Sequence, residues 1–173
     1  MNNYQAFETD RLLLQPTSTS DAQLIFELLN SPKWLKYIGD RKVHSLEAAK
    51  DYIQHRMLPQ LEKLGFGNYT VIRKRDQAKM GICGLYDRAE MEGLDLGFAY
   101  LPTYEKQGYA FEAANKILET GFDIFGYAKI NAITSKGNTE SQKLLEKLKF
   151  QLHGTTQLPN EMEELLLYII EKK

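Results

Sequence analysis

The chain has 173 residues, close to one ~150-residue domain, and its 43% hydrophobic and 26% charged residues exclude a disordered or fibrous polymer. Lys plus Arg number 22 against 23 Asp plus Glu, so no global charge draws the molecule to nucleic acid or to an anionic membrane. One cysteine, Cys83, excludes an intramolecular disulfide and the structural zinc patterns, and no apolar run reaches the ~20 residues of a membrane span.

The start Met1-Asn2-Asn3-Tyr4 lacks the charged-then-apolar pattern of a signal peptide. No repeat, low-complexity tract or Pro/Gly/Ser-rich linker divides the chain. The expectation is therefore one domain over residues 1–173, cytoplasmic, with no nucleic-acid or membrane partner. In chain order, residues 11–15 read as a short buried strand ended by Pro16. Residues 21–30 read as a helix with Ser20 at its N-cap and Ala22, Ile25, Phe26 and Leu29 on one face, stopped at Asn30-Ser31-Pro32. After the aromatic stretch 34–38, Ser45 caps a second helix through Leu64, kinked near Pro59 and closed at Gly65. Strands follow at 69–72, 80–86 and 94–101, joined by short polar turns that predict an antiparallel meander. Helical spacing returns over 110–125, then a strand at 129–134, a helix at 139–148 and a last apolar strand at 165–170. The order β-α-α-β-β-β-α-β-α-β-β defines an α/β (α+β) layer with one parallel crossover, from strand 94–101 through helix 110–125 to strand 129–134.

Several chemistries are absent from this sequence. There is no G-x-x-x-x-G-K-[ST], H-E-x-x-H or G-x-S-x-G, and His44, His55 and His153 stand at no metal-ligand spacing, so no metal is expected. Cys83, mid-strand in Gly81-Ile82-Cys83-Gly84, reads as a buried structural thiol rather than a nucleophile. The informative stretch runs from Asp95 to Ala113. There a strand ends at Pro102, and a polar loop with one glycine, Gly108, opens an Ala-rich helix. Unpaired N–H groups and the positive dipole end converge at such a start and suit a phosphate or pyrophosphate, and Lys106 adds a mobile positive charge. Taken alone, a glycine before a helix is more often a plain tight turn. A second stretch, Asn138 to Phe150, reads as a capped amphipathic helix with Leu144, Leu145 and Leu148 inward.

In this order and spacing the segments resemble the GNAT superfamily of acetyl-CoA-dependent N-acetyltransferases, nearest the RimJ/RimL type that acts on ribosomal-protein N-termini. The resemblance covers nearly the whole chain. It rests on Phe7-Glu8-Thr9-Asp10-Arg11-Leu12-Leu13-Leu14, Leu96-Gly97-Phe98, Gly108-Tyr109-Ala110-Phe111-Glu112-Ala113, Asn138-x-x-Ser141 and Leu145-Glu146-Lys147-Leu148-Lys149-Phe150. It implies a mixed central sheet of about seven strands flanked by four helices, splayed to form a cofactor cleft. It also implies that acetyl-CoA lies against Phe98, Ala99 and Tyr100, with its pyrophosphate on Glu105, Lys106, Gln107, Gly108, Tyr109 and Ala110 and its pantetheine bonded by Asn138. Three positions depart from the family pattern. Glu105 stands where Gln, Arg or Trp is usual, and Lys106 and Lys149 stand where glycines are common.

Acetyl transfer from a thioester to an amine needs no protein nucleophile, but an α-amine near pKa ~8 or an alkylamine near ~10 must lose a proton first. The resemblance implies Asp95 as the base, where the group commonly carries a glutamate, and Ser141 as donor to the departing sulfur; Leu145 occupies the position where many relatives carry a tyrosine near the thiol. Trp34, Tyr37 and Ile38 are expected to line the acceptor side. The favoured acceptor is a protein N-terminal α-amine. A small-molecule amine (amino acid, polyamine or aminoglycoside) is the alternative, with Glu90, Glu92 and Asp95 able to make an acidic cleft, and a catalytically silent acyl-CoA-binding module is the third reading. Exposed strands near the C-terminus offer pairing in a homodimer.

Overall fold

The computed structural model describes residues 4–173; the start at Met1, Asn2 and Asn3, read above for a leader, lies outside the described residues. Eight strands form one sheet in the order β1-β2-β3-β4-β5-β6-β8-β7. They are β1 (Phe7–Glu8), β2 (Leu12–Pro16), β3 (Asn68–Arg73), β4 (Ala78–Asp87), β5 (Leu94–Tyr100), β6 (Lys129–Ser135), β7 (Gln151–Gln157) and β8 (Glu164–Glu171). Every pairing is antiparallel except β5 with β6, and the crossover between those two is α5 (Tyr109–Asp123), as the sequence predicts. The expected count of about seven strands becomes eight because the two-residue β1 pairs with β2 through Phe7↔Leu14 and Glu8↔Leu13.

Helices cover both faces of the sheet. On one face α5 buries Ala113, Ala114, Ile117 and Leu118 against Leu12, Leu14, Val71, Leu85, Leu94 and Ile130, and Leu145 of α6 (Thr139–Lys147) joins the same cluster. Each large aliphatic side chain enclosed there contributes roughly 1.5–3 kcal/mol. On the other face α1 (Ala22–Leu29) and α3 (Leu46–Tyr52) pack Leu24, Ile25, Leu28, Ala49 and Ile53 onto Ile82. Residues alternate in β5: Leu94, Leu96, Phe98 and Tyr100 belong to the α5 face, whereas Ala99 belongs to the α1/α3 face.

Three local expectations are corrected. The cap before α1 is Ser18, not Ser20: the Ser18 side chain accepts from the Ser20 N–H at 3.3 Å while the Asp21 carboxylate accepts from the Ser18 N–H at 2.9 Å, a capping box on a 3-10 turn. The long helix after Ser45 is not continuous. It widens over Ile53–Met57 and resumes as α4 (Leu58–Leu64), because Pro59 lacks an N–H and its ring repels the carbonyl one turn earlier; the Leu58 N–H then reaches back five residues to Ile53. The stretch 34–38, for which the sequence predicts no regular element, lies mostly in a sixth helix, α2 (Pro32–Tyr37), with Pro32 in its first turn.

Candidate active site

β5 and β6 are paired only through Leu94↔Ile130 and Asp95↔Asn131. Beyond that point β5 stays on β4 as far as Gly81↔Tyr100, and β6 stays on β8 as far as Ser135↔Leu165. The sheet thus opens into a V, and the edge of β5 facing β6 has no strand partner from Leu96 onward. At the end of that edge Pro102–Tyr104 makes a 3-10 turn, and Lys106 (φ 59°) and Gly108 (φ 81°) turn the chain left-handed into α5. Gly108 is needed there: its conformation is strained for an L side chain, and a Cβ would stand 3.3 Å from the Arg11 guanidinium. No side chain caps α5, so its first N–H groups face outward.

This loop, the start of α6 and α2 enclose a cleft of about 570 Å³. Of the residues expected at the cofactor, Phe98, Ala99, Tyr100, Glu105, Lys106, Gly108, Tyr109, Ala110, Asn138 and Ser141 line it, as do Trp34, Tyr37 and Ile38. Gln107 does not: its carbonyl accepts from Arg11 at 3.1 Å and its amide donates to the Thr103 carbonyl at 2.9 Å, holding it on the outer side of the loop. Asn138 is the N-cap of α6, its Oδ1 accepting from the Ser141 N–H at 3.2 Å. The Tyr100 hydroxyl is buried without a hydrogen-bond partner among the described residues.

Asp95 sits at the vertex of the V and opens on a second cavity of about 830 Å³ on the α1/α3 side, which Trp34, Tyr37, Ile38 and Ser141 also line. The carboxylate is 1% exposed. The Arg88 guanidinium donates to its Oδ2 at 2.8 Å, while Oδ1 is buried with no partner among the described residues. Burial pushes the Asp95 carboxyl above the ordinary carboxylate range, with Arg88 opposing. Asp95 is therefore no solvated strand carboxylate. Beside it the Tyr86 ring lies across Gly97, where a Cβ would come within 2.6 Å of the ring, and the Tyr86 hydroxyl donates to Asn68 Oδ1. Burial pushes the Tyr86 hydroxyl well above the usual phenol range, so it stays protonated.

Two features escape the sequence reading. Arg11 braces the loop: besides Gln107 it bonds Glu112 at 2.6 Å and stands 4.4 Å over the Tyr109 ring. Lys33 of α2 bonds Glu105 at 2.8 Å and also bonds Glu140, so the departure at Glu105 meets a cation from a distant element. Burial alone lowers the Lys33 pKa, but the hydrogen bonds to Glu105 and Glu140 outweigh it and raise the ammonium above its usual value. Cys83 is buried, and burial pushes its thiol far above the ordinary range, which keeps it inert. Among the described residues no group of three or more His, Cys, Asp or Glu is placed to hold a metal ion, and no helix is long and apolar enough to cross a membrane.

A sheet split beside its parallel pair, with a glycine-initiated helix at the end of the free edge, is the framework of a cleft for an extended, phosphate-bearing ligand. The model of the acetyltransferase (GNAT) domain family matches residues 11–151, and the chain belongs to that family. It is 31% identical over 153 residues to the uncharacterized N-acetyltransferase p20 of Bacillus licheniformis, covering 84% of this chain and 82% of that one. It is 28% identical over 152 residues to the uncharacterized N-acetyltransferase YoaA of Bacillus subtilis (strain 168), covering 87% and 85%. Among solved structures, a GNAT-family acetyltransferase from Bacillus anthracis superposes with a TM-score of 0.80 at 23% identity, covering 96% of this chain and 98% of that one. RimL, a ribosomal L7/L12 alpha-N-protein acetyltransferase solved with coenzyme A, superposes with a TM-score of 0.81 at 14% identity, covering 96% and 98%.

Proposed function

We propose that the protein transfers the acetyl group of acetyl-CoA directly to the α-amine of a protein N-terminus. The observation that carries this reading is the parting of β5 from β6 after Asp95, which leaves a free strand edge running to the uncapped start of α5. The residues present fit the cofactor: an extended arm with two amides pairs with such an edge, and a diphosphate suits free N–H groups behind a left-handed glycine. Phe98, Ala99 and Tyr100 would hold the arm, the backbone N–H groups between Glu105 and Ala110 would hold the diphosphate, and the side-chain amide of Asn138 would donate to the arm. When bound, acetyl-CoA supplies the activated thioester that the amine attacks.

Asp95 takes the proton of the incoming amine. Its Oδ1 is an acceptor without a donor, and a carboxyl raised by burial is a better base near neutral pH. Ser141 lies on both cavities and donates to the departing sulfur, while an amide N–H of the β5 edge steadies the carbonyl oxygen. Trp34, Tyr37 and Ile38 form the wall shared by cofactor and acceptor.

The lining of the acceptor cavity supports a peptide N-terminus over a polyamine or aminoglycoside. Lys36, Arg41, Arg56 and Arg88 stand among Asp87, Glu90, Asp95, Glu161 and Glu163, and Asp95 is already bonded to Arg88. Glu92 is not in the lining. Five carboxylates against four cations leave a net of −1, which suits a peptide's single positive charge on a neutral backbone better than the several charges of a polycation. The test is thiol release from acetyl-CoA across peptides with different N-termini, polyamines, amino acids and aminoglycosides. Turnover is expected with peptides, and Asp95→Asn is expected to lower kcat/KM by about a hundredfold and to abolish its acid limb. Ser141→Ala is expected to lower kcat about tenfold or more with KM for acetyl-CoA little changed. Turnover confined to small amines would replace the acceptor assignment, and coenzyme A binding with no turnover on any amine would make the protein an acyl-CoA-binding module.

A further inference from the structure

Helix α2 touches both lips of the cofactor cleft. From its first turn Lys33 reaches Glu105 on the loop before α5 at 2.8 Å and Glu140 on the first turn of α6. From its last turn the Tyr37 hydroxyl donates to the Gly137 carbonyl at 3.4 Å, just before α6. The helix has six residues and none is buried, and Gly39 follows it at φ 98° with open space around it. Among the described residues Trp34 is the one α2 side chain packed against the α1/α3 cluster, and the remaining ties of the helix to the cleft are the polar ones of Lys33 and Tyr37. Lys106 also points to Glu140, at 3.7 Å. Two ammonium groups and two carboxylates thus cancel at the place where a diphosphate must bind, and Glu105 by itself repels one.

Resting on the acetyl-CoA reading of the cleft, we propose that Lys33 is the counter-ion of the cofactor's diphosphate. It keeps Glu105, exchanges Glu140 for phosphate oxygens when the cofactor enters, and by that exchange fixes α2, which carries the Trp34–Tyr37 wall of the acceptor cavity. Cofactor binding then shapes the acceptor site through one side chain. This gives the acidic residue at position 105 a role: it anchors a mobile cation beside the loop. The charges are consistent with this, because exchange frees Glu140 to pair with Lys106 and leaves Lys33 between Glu105 and the phosphates.

The chain has a single tryptophan, Trp34, next to Lys33, so emission excited selectively at tryptophan, beyond the absorption of the tyrosines, reports on α2. Coenzyme A and pantetheine, which lacks the diphosphate, are titrated by calorimetry and by fluorescence into wild type, Lys33→Met, Lys33→Arg, Glu140→Gln and the double variant Lys33→Met/Glu105→Gln. Lys33→Met is expected to weaken coenzyme A about tenfold, as loss of one charge-assisted contact does, and to leave pantetheine unchanged. Lys33→Arg is expected to retain most of the affinity, Glu140→Gln to tighten coenzyme A, and Glu105→Gln to restore part of what Lys33→Met loses. Coenzyme A but not pantetheine is expected to shift Trp34 emission, and the shift is expected to be lost in Lys33→Met. The Lys33 and Glu140 side chains are 44% and 50% exposed, so the single variants are expected to keep the wild-type melting temperature. If Lys33→Met binds coenzyme A as tightly as wild type with the same Trp34 response, the counter-ion role is overturned while the cleft assignment stands. If wild type binds neither ligand, the acetyl-CoA reading fails and takes this proposal with it.

Discussion

Lys149 occupies the left-handed position that ends α6, at φ 74°. Its N–H donates to the Glu146 carbonyl and the Phe150 N–H to the Leu145 carbonyl, each at 3.0 Å, and Leu145 and Phe150 meet in the main core. That is a Schellman ending, in which the left-handed residue is usually glycine because a Cβ crowds the backbone there. Lys149 is exposed and makes no ion pair among the described residues, so its side chain returns nothing for the strain. Lys149→Gly is expected to stabilise the fold by about 0.5–1 kcal/mol in urea unfolding, the gain being partly offset by the greater freedom of glycine in the unfolded chain. A loss of stability would mean that the lysine stem covers apolar surface. The converse case is Gly97: Gly97→Ala is expected to displace the Tyr86 ring, break its bond to Asn68 and cost roughly 1–3 kcal/mol in the same assay. The left-handed position at 149 was signalled only by the family resemblance, in which a glycine is common there. The pairing of Asp95 with Arg88 had no such signal, since nothing in a strand-and-turn pattern says that a residue seven places away folds back over it.

Among the elements, α5 is held at its start by long-range polar ties rather than by a cap. Glu112, in the first turn, accepts from the Thr9 hydroxyl at 2.5 Å, the Arg11 N–H at 3.0 Å and the Arg11 guanidinium at 2.6 Å. Burial alone raises the Glu112 pKa, but these donors outweigh it and hold the carboxyl below the usual range. A folded pKa below the unfolded value gives stability that is present above the unfolded pKa and lost as pH falls through the folded one. Glu112→Gln is therefore expected to lower stability at pH 7 by about 1–2 kcal/mol, an amount reduced by the exposure of Arg11. The gap between variant and wild-type melting temperatures is expected to close on acidification below the ordinary glutamate range. An equal gap at pH 7 and pH 3 would assign Glu112 to packing instead. Elements with a strong apolar period were readable: β3 to β6, α1, α5 and α6 all stand within a few residues of expectation. β7 received no bounds because its side chains are exposed along nearly its whole length, leaving no alternation to read. The helix α2 hid behind Pro32, which ends α1 and equally opens a new helix. The link from Lys33 to Glu105 spans 72 positions in sequence and is set only by the fold.

For the molecule as a whole, the weak seam is the split between β5 and β6. The sheet from β1 to β5 and the sheet from β6 to β8 share two residue pairs of parallel strand, and α5 and α6 cover that junction on one face. A ligand lying along the free edge of β5 and reaching the start of α6 bridges the two halves, so its binding energy adds to global stability by mass action. At a hundred times its dissociation constant, coenzyme A is expected to contribute about 2.7 kcal/mol. For a chain of this size that is roughly 5–10 °C in melting temperature. The protection must also fall in the right place. Amide exchange at Phe98, Ala99 and Tyr100 is expected to slow on binding, while β3, already paired on both sides by β2 and β4, is expected to change little. A rise in melting temperature without slower exchange along this edge would put the ligand elsewhere on the surface. Slower exchange there, together with the rise, is the signature of a cofactor that completes the sheet where the chain leaves it open.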